Sequence, residues 1–140
     1  SVQDPGNVGT ILRTADALGA DGLLLVNGCA DLYNPKTVRA TMGAVFRCPV
    51  WTCGLGELKQ LLSASGLPLY GAALRADTAD VRTVDYRRCA LAVGSEGRGL
   101  SQELLSACAR TVRIPMREHC ESLNAAIAAA VLLWEAARDD

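Results

Sequence analysis

The sequence predicts an α/β domain with a mainly parallel sheet covered by helices on both faces. Three observations carry this. Short apolar runs alternate with segments of helical periodicity along the chain, the pattern of a parallel sheet wrapped by crossover helices. The runs are short, which suggests buried strands. Glycines fall where the helical patterns stop and where the strands end.

In chain order, Val8, Ile11, Leu12, Ala15 and Leu18 share one face of a helix expected over Asn7–Leu18, with Asn7 as its cap and Gly19 as its stop. Gly22–Val26 reads as a buried strand, and Pro35–Ala44 as a helix with proline in its first turn. Pro49–Cys53 is a strand, Leu55–Ser65 a helix ended by Gly66, and Leu69–Leu74 a further strand. Arg75–Arg88 is polar and weakly patterned and is expected to be a surface excursion. Ala90–Val93 is a strand that runs into a glycine-rich turn, followed by a helix over Ser101–Cys108 with Ser101 as its cap. Thr111–Ile114 is a strand closed by Pro115, and Ser122–Arg138 is the last and longest helix, with Ser122 expected to cap it. No repeat or linker divides the 140 residues, so one domain is expected.

Composition sets limits on function. The formal net charge of -1 neither requires nor forbids a nucleic-acid partner. The cations are nearly all arginine, with Lys36 and Lys59 the two lysines, and arginine is the better residue for bidentate phosphate contact. A genomic bias toward arginine codons would give the same composition. The six cysteines form no Cys-x-x-Cys pair, so no zinc or dithiol site is expected; they read as reduced, mostly buried cytosolic residues. His119, the one histidine, lacks a neighbour at metal-ligand spacing, and no metal is expected. No apolar run reaches the roughly 20 residues of a membrane span, so no membrane association is expected. The chain begins at Ser1 with site-like residues almost at once, so a preceding segment is expected to be missing.

Three segments carry candidate chemistry. Asp4-Pro5-Gly6-Asn7-Val8-Gly9, followed by Arg13, joins a turn to a helix start and an arginine near that start. Gly94-Ser95-Glu96-Gly97-Arg98-Gly99-Leu100 lets the backbone approach a ligand closely after a strand. It is neither a Walker loop nor the dinucleotide fingerprint, whose glycine spacing is the reverse. Ile114-Pro115-Met116, then Glu121-Ser122-Leu123-Asn124, lead into an alanine-rich helix. Each segment taken alone is also what an ordinary capped helix or tight strand-to-helix turn looks like. Ligands of open parallel sheets collect at the carboxyl ends of the strands, which points to the loops after Leu74, Gly94 and Ile114.

In this order and at this spacing, the three segments resemble the SpoU (TrmH) branch of the SPOUT methyltransferases. Asn7-x-Gly9-x-x-x-Arg13 matches the first motif of that family, Gly94 to Leu100 the second, and Ile114-Pro115-Met116 with Ser122-Leu123-Asn124 the third. The resemblance runs from Asp4 into the last helix. It implies a deep C-terminal trefoil knot, an exception to the usual topology rules. The knot would run from about Leu74 to the start of the last helix.

The resemblance further implies S-adenosylmethionine as methyl donor, a ribose 2′-hydroxyl in ribosomal or transfer RNA as acceptor, a cytoplasmic setting and a homodimer. By matching positions, Asn7, Arg13, Glu96, Ser122 and Asn124 are the expected catalytic residues. Leu74, Gly94, Glu96, Gly97, Ile114, Met116, Ser122, Leu123 and Asn124 are the expected donor contacts. Arginine is a poor base, so Arg13 is expected to grip a phosphate and stabilise the forming oxyanion, with Glu96 holding it.

The chain departs from the family pattern in three ways. Ala126 stands where relatives often have serine, the first strand is cut short ahead of Asp4, and the N-terminal RNA-recognition domain that many relatives carry is not expected here. A non-catalytic module binding donor or RNA, and a small-molecule methyltransferase on the same fold, are the competing classes. The presence of Asn7, Arg13, Glu96 and Asn124 favours the enzyme acting on RNA.

Overall fold

A computed structural model of the chain describes residues 5–26, 48–73, 78–94, 100–117 and 124–138. The expected helix over Pro35–Ala44 lies outside them.

Helix α1 spans Pro5–Ala17. Proline suits a first turn, where its missing N–H would have no partner anyway. Asn7 therefore lies inside the first turn instead of capping it, and the helix starts two residues earlier than its apolar face indicates. Val8, Leu12 and Ala15 are buried along one stripe, as the periodicity predicts. The helix ends in a left-handed cap: Gly19 has φ 81°, and the Ala20 N–H donates to the Ala15 carbonyl at 2.9 Å.

Strand β1 (Leu23–Val26) pairs in parallel with β2 (Val50–Cys53). Helix α2 (Leu55–Ser65) follows. The Glu57 carboxylate accepts from the Gly54 N–H at 3.3 Å at its start, and Gly66 at φ 69° stops it.

Strands β3 (Leu69–Ala72), β4 (Ala79–Asp80), β5 (Ala90–Ala92) and β6 (Arg110–Arg113) form a second parallel group. Their spatial order is β4-β6-β3-β5. Helix α3 (Gln102–Ala107) lies between β5 and β6 in sequence, and the Ser101 hydroxyl caps it by accepting from the Leu104 N–H at 3.2 Å. The last helix, α4, spans Ala125–Ala137. It is capped by Asn124, so the expected cap at Ser122 does not hold: the helix starts three residues later.

Side chains along β3 divide between two faces, as the two-residue period requires. A Cβ placed on Gly71 would lie 2.7 Å from both the Cys108 Sγ and the Leu100 Cδ1, so the segment around α3 presses on that face with no room for a side chain. Tyr70 and Ala72 point the other way, into a cluster centred on Val81, Val112 and Leu132 of α4. The sheet is thus covered on one side by the flanks of α3 and on the other by α4, which also packs against α1.

The stretch expected to be a surface excursion is built into the core. It contains β4 and a 3-10 turn over Val81–Thr83. Val81 is buried in the cluster, and the Tyr86 hydroxyl donates to the Val81 carbonyl. Burial and the neighbouring Glu135 carboxylate push that phenol up to about 12. The polar residues between these anchors mask them in the sequence. Of the four cysteines among the described residues, Cys48 is buried and Cys53, Cys89 and Cys108 are half-buried.

Candidate functional site

The strand order decides what the loops can do together. β3 lies between β5 and β6, with Gly71 in register with Ala92 on one side and Thr111 on the other. All three strands run the same way, so their carboxyl ends come out side by side. Segments far apart in sequence, following Ala73, Val93 and Arg113, therefore share one edge of the sheet. That edge is where open parallel sheets bind ligands.

Of the residues expected there, Gly94 is buried, and Ile114 and Met116 are half-buried. Val93 and Ile114 also contribute to the edge of the core cluster. The described part of the edge is therefore apolar, with a glycine at which backbone can meet a ligand directly. These features fit the flat adenosine of the S-adenosyl donor that the motif resemblance implies. Leu74, Glu96, Gly97, Ser122 and Leu123 lie outside the described residues.

Asn124 stands at the start of α4, on the chain leaving the same edge. Its Oδ1 accepts from the Ala126 N–H at 2.8 Å and from the Ile127 N–H at 3.3 Å. This double cap fixes the side-chain rotamer and aims the first turn of the helix. The position that the third motif marks as functional is thus also the position that terminates the helix.

Arg13 lies on α1 opposite the buried stripe of Val8, Leu12 and Ala15, and is exposed. Its guanidinium is a planar fork of donors that suits bidentate contact with an anion. Asn7 lies in the first turn of the same helix. The motif match does not include Arg117, an exposed arginine directly after Met116.

Three arginines elsewhere in the described residues are committed. Arg82 donates through Nε to Asp80 Oδ1 at 3.0 Å and through a terminal nitrogen to Asp80 Oδ2 at 2.7 Å, and its backbone N–H also bonds Asp80 Oδ1 at 2.9 Å. The Arg82 side-chain bonds, helped by its backbone N–H and by Arg113, hold the Asp80 carboxyl down at about 2. Arg87 grips Asp85 in the same way. Arg88 donates to the Ser65 carbonyl at 2.6 Å, at the end of α2. Among the described residues no group of acidic, histidine and cysteine side chains could hold a metal ion, and no helix is long and apolar enough to cross a membrane.

Comparison with known proteins agrees with this geometry. A 23S rRNA (guanosine(2553)-2′-O)-methyltransferase of Bacillus subtilis is 40% identical over 134 residues, covering 96% of this chain and 54% of that protein. The crystal structure of an AdoMet-bound rRNA methyltransferase from Sinorhizobium meliloti superposes with a TM-score of 0.94 at 41% identity, covering 99% of this chain and 53% of that one. The SpoU methyltransferase AviRb from Streptomyces viridochromogenes, in complex with AdoMet, superposes at 0.92 with 38% identity, covering 98% and 56%. The chain spans about half the length of these relatives. The family model described as the SpoU rRNA Methylase family matches residues 1–134. With the α/β fold, the parallel strand ends and the match all in agreement over nearly the whole length, the chain belongs to the SpoU rRNA methylase family.

Proposed function

We propose that this chain is the catalytic domain of an S-adenosylmethionine-dependent RNA 2′-O-ribose methyltransferase acting on ribosomal or transfer RNA in the cytoplasm. The observation that carries the reading is the convergence of the second and third motif segments on one carboxyl edge of the sheet, in a chain whose family match covers residues 1–134. Relatives with that fold bind AdoMet or are named for 2′-O-methylation of rRNA.

In this reading Gly94, Ile114 and Met116 line the donor pocket, together with Leu74, Glu96, Gly97, Ser122, Leu123 and Asn124. The donor supplies a methyl group already activated on a sulfonium. The ribose oxygen forms a bond to the methyl carbon as the S–CH3 bond breaks; the hydroxyl proton leaves to water and S-adenosylhomocysteine departs. The protein's task is alignment and charge stabilisation. Arg13 binds the neighbouring phosphate and stabilises charge growing on the oxygen, Glu96 orients Arg13, and Asn7 and Asn124 position the ribose.

The strand order supports the trefoil knot. β6 comes last in sequence but lies between β3 and β4, so two strands consecutive in the chain are parted in space by a later one. A homodimer is supported by α4, where Ile127 (54% exposed) and Trp134 (61% exposed) lie seven residues apart on one face.

The test is methyl transfer from labelled S-adenosylmethionine to ribosomal and transfer RNA, with the product mapped as a 2′-O-methyl nucleotide. Arg13→Ala should lower turnover by about 100-fold or more, the cost of losing one transition-state charge contact, and leave donor affinity within about twofold. Donor binding with no transfer to any RNA by the intact protein would identify a binding module instead.

A further inference from the structure

One polar contact in the sheet has no role in the reading above. Thr111 is the one buried polar side chain among the described residues, 6% exposed in the middle of β6. Its hydroxyl is 2.8 Å from the Thr78 hydroxyl, and either can donate.

The topology around this pair is specific. The chain leaves β3 at Ala73, on one flank of β6, and returns at Thr78, the residue before β4, on the other flank. Both points of departure are fastened to β6 itself. The Ala73 N–H donates to the Val112 carbonyl at 3.0 Å, and Ala79 pairs with the same Val112 from the opposite side. The Thr78–Thr111 bond ties the two strands through their side chains, and β4 is only two residues long, so its backbone ladder alone holds weakly. Three residues beyond Thr111 the chain reaches Ile114, and two further on Met116.

We infer that Thr111, through Thr78, is a positioning residue for the methyl donor. The hydroxyl pair locks β4 against β6 and so fixes the strand whose carboxyl end carries the Ile114–Met116 segment. It touches neither donor nor RNA. This rests on the donor pocket proposed above. A threonine whose only task is to satisfy itself inside the sheet would affect stability; one that sets the position of the Ile114–Met116 segment affects donor binding more than turnover.

The experiment is calorimetric titration of the full chain with S-adenosylhomocysteine, paired with methyl-transfer kinetics. Thr111→Val keeps the β-branched shape and removes the hydroxyl. Thr111→Val and Thr78→Val should each weaken binding roughly fivefold to tenfold, the scale of one buried hydrogen bond. The double variant should be little worse than either single one, because both remove the same bond. Turnover at saturating donor and the KM for RNA should stay within about twofold, and Thr111→Ser should restore binding. Leu58→Ala, which removes a buried side chain from α2, controls for general loosening. Unchanged affinity in Thr111→Val, or an equal loss in Leu58→Ala, overturns the inference. A folded parent chain that does not bind S-adenosylhomocysteine overturns the donor-pocket reading itself, and this inference with it.

Discussion

Asn124 carries two tasks that chemistry can separate. Its Oδ1 holds two backbone N–H groups of α4, at 2.8 and 3.3 Å, and its position is the one the proposed site needs. Asn124→Ala removes the cap from a helix that supplies Ala125, Ala126, Ala129 and Leu132 to the core. The cost should be about 1 kcal/mol, and for a domain of this size a melting temperature lower by about 3–4 °C. Asn124→Asp keeps an oxygen in the same place and puts a negative charge at the positive end of the helix dipole. Stability should be unchanged or up by about 0.3–1 kcal/mol. Methyl transfer responds differently. Aspartate brings an anion to the place where an RNA ribose and its phosphates must sit and loses the amide donor, so both variants should fall by about 10- to 100-fold. Thermal melts followed by circular dichroism, alongside single-turnover methylation, read the two effects separately. If Asn124→Asp melts as early as Asn124→Ala, the cap reasoning is wrong. If Asn124→Asp methylates normally, the residue has no part in the site.

Two further outcomes test the fold. Leu132→Ala empties the centre of the Val81–Val112–Leu132 cluster, where Leu132 is 1% exposed; urea denaturation should show a loss of about 2–5 kcal/mol, and a loss under about 1 kcal/mol would mean the site collapses or the packing is misassigned. Asp80 has a folded carboxyl held at about 2 against an ordinary 3.8, so its contribution to stability is fully present above pH 4 or so and disappears as pH falls through about 2. Acid titration of Asp80→Asn should therefore show a shallower stability loss over that window, and the difference should shrink in high salt because the pair is exposed.

Much of the fold was legible because it is local. The stripe of Val8, Leu12 and Ala15, the left-handed stops at Gly19 and Gly66, and the Ser101 cap all follow from spacing and φ preference within a few residues. Non-local features were not. Val81 is buried and β4 exists because both meet β6, some thirty residues later in the chain, and nothing within Arg75–Arg88 announces that partner. The cap at Asn124 in place of Ser122 has a related cause. Both residues cap well, and which one starts the helix depends on where α4 docks against α1 and the sheet. Asn7 failed as a cap because Pro5 already begins α1. For the proposed site, the motif resemblance singled out Gly94, Ile114 and Met116, while their convergence comes from β3 lying between β5 and β6, a strand order that no periodicity encodes.

The central claim, a donor pocket at that shared edge, is tested most directly by calorimetric titration of the chain with S-adenosylmethionine and S-adenosylhomocysteine. The account predicts saturable binding of both, with one site per chain. A chain that is folded by circular dichroism and releases no heat with either ligand would contradict it.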